Sequence, residues 1–297
     1  VKKIRSGIYG LNSIMDGGLN INSTTVVIGG SGAGKTTMAT QFIRRGLEDG
    51  QEAIFISLDE NKEQIIKEAV EMGWGEILSY IEDEKLVFID ASGREFSNFI
   101  KSELPAFVKD WKGANSRIVI DPLTPVLWST KDAYEQRELI GFMFKQTRKV
   151  GTVFCTLEEH GTAGDLSGPE TVIPMYLADT VLHLRYRVMN ENTRRSIKVI
   201  KARSSRHCQR EHPYSIIKGL GMVIENREEG AGMSNKAVLE FRSLLKQNRR
   251  RVPVHVYQRI MKATEEMSDR DFQDIGPSEV VMELLKEYNE DVKKRTR

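Results

Sequence analysis

Residues 28–37 read IGGSGAGKTT, and the rest of the chain can be placed from that stretch. It fits G-x-x-x-x-G-K-[ST] with Gly29, Gly34, Lys35 and Thr36. The β-branched run TTVVI (24–28) precedes it, and a stretch with Met38, Phe42 and Leu47 at helical spacing follows. Strand, glycine-rich turn and helix form the setting that the motif requires. At average residue frequencies, a match in a chain of this length arises by chance on the order of one time in a hundred. The glycines let backbone N–H groups turn inward around phosphates, and the helix N-terminus adds partial positive charge. Gly30, Ser31, Gly32, Ala33, Gly34 and Thr37 are therefore expected to cradle phosphates, with Lys35 reaching the terminal ones. The Thr36 hydroxyl is expected to ligate Mg²⁺.

Such a site needs a second carboxylate near the metal, at the end of a neighbouring strand. RIVID supplies Asp121, expected in the Mg²⁺ shell. Hydrolysis also needs a group to activate water. The strand AIFIS (53–57) leads into Leu58, Asp59 and Glu60, and one of these two acids is expected to face the γ-phosphate. The competing assignment is a helix cap formed by Asp59, Glu60 and Asn61.

Outward from the motif, apolar runs alternate with helical stretches. AIFIS precedes a helix with Ile65, Ile66, Ala69 and Met72. LVFI (86–89), a helix near 97–111, RIVI (117–120), a helix near 133–149, TVFCT (152–156) and TVLHL (180–184) follow. Runs that are apolar on both faces fit parallel strands covered by helices on each side. The expected fold is α/β: a P-loop core with a mostly parallel central sheet, then C-terminal β-hairpins and a helical tail. VLHLRYRV, the turn MNENT and RRSIKVIKAR form one hairpin, and HPYSIIK, GLG and MVIE another. The polar stretch EEGAGMSN reads as a linker, dividing a domain 1–230 from a helical extension 231–297. Val238, Phe241 and Leu245 make one stripe of that extension; Val281, Leu284, Leu285, Tyr288 and Val292 make another.

The stretch IKVIKARSSRH (197–207) carries a puzzle. Strict alternation places Ile197, Val199, Lys201 and Arg203 on one face, so an apolar face ends in two cations roughly 7 Å apart. Either the strand end emerges into solvent, or an anion sits between them.

GIYGLNSIMDGGL (7–19) upstream of the P-loop, the acidic pair after the second strand, RIVID, and KARSSRH followed by HPYSI and GLGMVI resemble KaiC-like ATPases of the RecA superfamily. The resemblance covers roughly residues 4 to 225 and stops short of the tail. It implies a RecA-like core that binds ATP and Mg²⁺ and assembles into a ring, usually a hexamer, with nucleotide between neighbours. It further implies that Lys201 and Arg203 reach the neighbour's γ-phosphate, which would be the missing anion, and that His207 contacts the same nucleotide. Where the family carries Glu-Glu, this chain has Asp59-Glu60, and the leading acid is the expected base. Aspartate is one methylene shorter, and a displacement of about 1 Å can cost on the order of 10²-fold in rate, so turnover is expected to be slow. Asn12 stands where many relatives carry Asp, and Pro122 follows Asp121 where Ser is frequent.

At 297 residues and 39% hydrophobic content, the chain can bury a full core. Its formal net charge of +2 is not the footprint of bulk electrostatic nucleic-acid binding. Between Val150 and Leu184 there is no Lys or Arg, while Glu158, Glu159, Asp165 and Glu170 are acidic, so a loop over 157–172 should repel DNA. Arg249, Arg250 and Arg251 form a basic run in the tail, read as a solvated loop or a site for nucleic acid or an acidic partner. Two cysteines, no membrane-length apolar run and an opening VKKIRSG without an apolar segment point to a cytoplasmic protein. His207, Cys208 and His212 match no standard zinc spacing. The leading functional expectation is a slowly hydrolysing, nucleotide-controlled ring that regulates a protein partner. The alternatives are a RadA-like DNA-repair accessory and an autokinase acting through Ser204 or Ser205.

Overall fold

The computed structural model describes residues 2–111, 114–160, 166–189, 192–225, 237–264, 267, 269–272 and 275–294. Along them run β1 (Lys3–Ile4), α1 (Leu11–Ile14), β2 (Leu19–Asn20), β3 (Thr24–Gly29), α2 (Lys35–Glu48), β4 (Ala53–Ser57), α3 (Lys62–Glu71) and α4 (Ile77–Glu82). Next come β5 (Leu86–Asp90), α5 (Gly93–Ser102), α6 (Leu104–Trp111), β6 (Ser116–Asp121), α7 (Thr124–Leu127), α8 (Ala133–Thr147), β7 (Gly151–Glu158) and α9 (Pro169–Leu177). Strands β8 (Thr180–Met189), β9 (Asn192–Ala202), β10 (Glu211–Ile217) and β11 (Gly221–Ile224) follow. The tail holds α10 (Ala237–Gln247), α11 (Val254–Ala263) and α12 (Pro277–Lys294), with 3-10 turns at Arg249–Arg251 and Asp269–Phe272.

Nine strands form one sheet in the order β11-β10-β9-β8-β3-β7-β6-β4-β5. From β8 to β5 neighbours run parallel, and β9, β10 and β11 continue the sheet antiparallel. The parallel strands are apolar on both faces because each face meets a helical layer. Val27, Phe55, Val119 and Phe154 pack toward Phe42 of α2, while Val26, Ile54, Ile118 and Val153 pack toward Ile140 and Phe144 of α8. Register brings Gly29 level with Glu158, and Ser57 level with Asp121, so four strand ends converge at one edge. No helix among the described residues is long and apolar enough to cross a membrane.

The helix expected near 97–111 is two helices, α5 and α6. Pro105 has no N–H to continue α5, which opens with a capping box between Ser92 and Glu95. The second difference lies in β9. Leu182 pairs Val199, but Val181 pairs Lys201, a β-bulge at Ile200 that reverses the alternation. Directly paired residues share a face, so Lys201 falls with Val181 on the α8–α9 side, opposite Ile197 and Val199. The expectation that all four side chains share one face is thus corrected. The stretch EEGAGMSN, the two central residues of MNENT and residues 161–165 of the acidic loop lie outside the described residues.

The tail helices share a third apolar cluster with the core. Phe241, Leu245, Val256, Ile260 and Leu284 pack with Tyr9, Leu220 and Val223. A charged seam binds the same junction. Arg259 donates to Glu48 (2.9 Å) and Glu76 (3.1 Å), and Tyr288 Oη donates to Glu48 (3.3 Å). The Arg45 guanidinium lies 4.8 Å above the Tyr288 ring, and the Asn12 amide donates to the buried Glu287 carboxylate.

Candidate nucleotide-binding site

The P-loop follows β3 because Gly32 (φ 76°) and Gly34 (φ 90°) hold left-handed backbone that a side chain would strain. At Gly34 space forbids one as well: a Cβ would lie 2.5 Å from Ile216 Cδ1. From β10, Tyr214 Oη donates to the Ala33 carbonyl at 2.5 Å and braces the loop from behind. Lys35 Nζ donates to the carbonyls of Gly29 (2.9 Å) and Gly30 (3.0 Å), curling over its own loop. Burial lowers the Lys35 pKa, opposed by the nearby charges of Glu158, Asp121 and Glu159.

Around this loop opens a cleft of about 440 Å³, lined among others by Lys35, Thr36, Asp59, Glu60, Asp121 and Glu158. Ser31, Gly32, Gly34 and Thr37 also line it. Asp121 ends β6 and is buried; burial raises its pKa, while hydrogen bonds from Thr156 and Thr36 oppose the rise. A buried carboxylate that accepts from the Thr36 hydroxyl beside an ammonium is an oxygen donor set suited to a hard divalent cation.

Both Asp59 and Glu60 line the cleft, so geometry does not single out either acid. The capping alternative is resolved, because Asn61 caps α3 by accepting from Gln64 N. Burial raises the Glu60 pKa, helped by the charges of Glu68, Asp121 and Asp59.

Lys201, Arg203 and His207 are not gathered here. Gly29 is level with Leu184 of β8, whereas Lys201 pairs Val181. Lys201 therefore lies about 10 Å further down the strand direction and two strands across, toward the opposite edge. Its Nζ donates to the carbonyls of Met175 (2.9 Å) and Tyr176 (3.0 Å), and Arg203 Nη2 donates to the Tyr176 carbonyl (2.8 Å). Within one chain, the two cations satisfy the C-terminal carbonyls of α9. Burial lowers the Lys201 pKa, with Arg203 adding to it. His207 Nδ1 lies 3.1 Å from the Cys208 carbonyl. His212 is buried in β10 with its Nδ1 3.0 Å from the Glu225 carbonyl. Ser205 Oγ accepts from Lys3 Nζ at 2.7 Å.

The acids assigned to a loop over 157–172 prove to be placed differently. Glu158 lines the cleft and lies 3.7 Å from His160 Nε2, and that ring packs tilted against the exposed Trp128, centroids 5.2 Å apart. Glu159 is 3.2 Å from the buried His183, and Glu170 sits in the first turn of α9. Ile216, Glu68 and Glu158, which line the cleft, and Tyr214, which braces its loop, are the residues that sequence reasoning missed. Only TVFCTLE, a strand ending in an acid as RIVID does, offered a signal for one of them.

Comparison with known proteins places residues 4–229 under the family profile described as "ATPase: KaiC". The circadian clock protein KaiC3 of Synechocystis is 29% identical over 233 residues, covering 75% of this chain and 46% of that protein. The circadian clock oscillator protein KaiC of Picosynechococcus is 32% identical over 231 residues, covering 73% of this chain and 43% of that one. The chain thus spans less than half the length of these curated relatives. The crystal structure of a KaiC-like protein from the archaeon Pyrococcus horikoshii superposes with a TM-score of 0.63 at 27% identity. It covers 76% of this chain and all of that one.

Proposed function

The chain belongs to the KaiC family of ATPases, a P-loop group of the RecA superfamily. On that premise we propose that it binds ATP with Mg²⁺, hydrolyses it slowly and assembles into a nucleotide-controlled ring that regulates a protein partner. The observation that carries this reading is the convergence of Lys35, Thr36, Asp121, Asp59 and Glu60 on one cleft at the carboxyl ends of parallel strands. Lys35 exchanges the Gly29 and Gly30 carbonyls for phosphate oxygens. Thr36 and Asp121 would hold Mg²⁺, which when bound neutralises charge on the β and γ phosphates. Asp59 takes the proton of the attacking water, one methylene short of the family's glutamate. Residues 1–230 form the ATPase unit, and 231–297 are an extension added to it.

Lys201 and Arg203, with His207 beside them, serve the neighbouring protomer's nucleotide. Two facts support this: the sheet register holds them away from their own P-loop, and they already bind partial negative charge at the end of α9. A triphosphate is a stronger anion than helix carbonyls and can draw them away. The test mixes two inactive variants, Lys35→Ala and the double variant Lys201→Ala/Arg203→Ala. If cations act in trans, mixed rings regain roughly a quarter of wild-type turnover, because random mixing restores that share of head-to-tail interfaces. No recovery, with each variant folded and associating, refutes the shared site. DNA-dependent stimulation of turnover at more than one salt concentration would instead favour the DNA-repair role, in which Arg249, Arg250 and Arg251 stand exposed as a contact surface.

A further inference from the structure

The chain leaves β7 through two acids that take opposite sides. Glu158 lines the cleft, and the next side chain, Glu159, turns to the other face of the sheet. There it is only 6% exposed. An ionised carboxylate is costly to bury without a partner, and β8 supplies one. His183 is level with Ile28 of β3, on the α8–α9 side, and its Nε2 lies 3.2 Å from Glu159 Oε2. A carboxylate only accepts hydrogen bonds, so Nε2 carries the proton and donates. The imidazole is buried, and its Nδ1 has no partner among the described residues. Replacing such polar pairs by packed apolar residues is often neutral or stabilising, so this one points to a role beyond holding the fold.

Strands β8 and β7 flank β3, so the pair crosses the end of the strand that leads into the P-loop. The Glu159 backbone N–H donates to the Gly29 carbonyl at 3.1 Å, the last rung of the β3–β7 ladder. Gly29 is buried, and the same carbonyl accepts from Lys35 Nζ at 2.9 Å. When phosphate draws Lys35 away, one of those two donors leaves. The Glu159 N–H then keeps the carbonyl paired, where an unpaired buried carbonyl would be costly. The Glu159 carboxylate also adds negative charge near Lys35 and favours its ammonium form.

Both effects depend on where residue 159 stands, one position past the end of its strand. The His183 N–H is a bond that fixes it from the far side of β3. Resting on the nucleotide reading above, we propose that His183 is a positioning residue for the P-loop: by tying Glu159 across β3, it holds the Gly29 carbonyl in place when Lys35 is released to phosphate. Neither member of the pair lines the cleft, and both act through Gly29 and Lys35. A loop held ready favours bound ATP and its transition state alike, so loss of the tie raises KM and leaves kcat in place.

The test measures turnover, and equilibrium binding of a non-hydrolysable ATP analogue, on the full chain with Mg²⁺. His183→Leu is expected to raise KM and weaken analogue binding about tenfold, as for loss of a hydrogen bond to a charged group. Its kcat should stay within about twofold of wild type. His183→Gln, whose amide can donate from near the Nε2 position, should recover most of the affinity. His183→Asn, whose amide stands where Nδ1 does, should not. That pair repeats the test if His183→Leu does not fold. In a Glu159→Ala background His183→Leu should cost no further affinity, because no carboxylate remains to be held. Unchanged affinity in folded variants, a fall in kcat instead of a rise in KM, equal behaviour of the glutamine and asparagine variants, or an undiminished further loss in the Glu159→Ala background overturns the assignment. Failure of wild type to bind the analogue removes the nucleotide reading itself.

Discussion

Helix α2 has charge at both ends, and the ends use it in opposite ways. At its N-terminus Lys35 and Thr36 meet Asp59, Glu60, Asp121 and Glu158 around open space. At its C-terminus Arg44, Arg45 and Glu48 are buried against Glu76, Arg259, Glu287 and Tyr288. The first set surrounds a ligand-sized void, where burial lowers the Lys35 pKa and raises those of Asp121 and Glu60. The second set closes on itself. Burial alone would raise Glu48, yet Arg44 and then Arg259 hold it at about 2. One helix thus carries a working end and a fastened end, and the fastening comes from the tail.

The contrast predicts a graded series of outcomes. Lys35→Ala should cost the most function, on the order of 10³-fold in ATP turnover, with no loss of urea stability in the absence of nucleotide. A comparable fall in stability would mean that the cleft charges also hold the fold. At the other end, Arg259→Met removes one of the two arginines that hold the buried Glu48 while Arg44 stays, and should cost about 2 kcal/mol in urea unfolding. Turnover measured well below the midpoint should stay within a few-fold of wild type.

The junction also explains a departure from the family pattern. Asn12 donates to Glu287, which burial pushes up to about 7 despite the opposing charge of Arg45. Asn12→Asp would set a carboxylate against that buried acid, and a loss of about 2 kcal/mol at pH 8 is expected. The Glu287 shift has its own signature. The native state holds this proton above the unfolded pKa near 4.5, so it binds more protons than the unfolded chain between about pH 4.5 and 7. Stability contributed by Glu287 is full below that window and is lost as pH rises through 7, by an amount of order 3 kcal/mol. Glu287→Gln should flatten that part of the pH profile; an unchanged slope would place the proton elsewhere. Smallest of all, Tyr214→Phe removes the brace on Ala33 and should cost about 1 kcal/mol, with a modest weakening of nucleotide binding by titration.

Much of this protein is written in short stretches of chain. IGGSGAGKTT, the apolar runs and RIVID specify the parallel core, the P-loop and Asp121, because phosphate cradling and strand burial depend on neighbouring residues. The paired helices α5 and α6 were legible only as one, since Pro105 is permitted in a first turn as well as at a break. Tertiary structure alone decided which side Lys201 takes, because a bulge depends on the partner strand and alternation cannot reveal it. It alone also brought Tyr214 behind the P-loop, Glu287 against Asn12 and Asp271 beside Trp74 and Lys218. Those contacts join residues far apart in sequence, and the spacing within any one segment carries no trace of them.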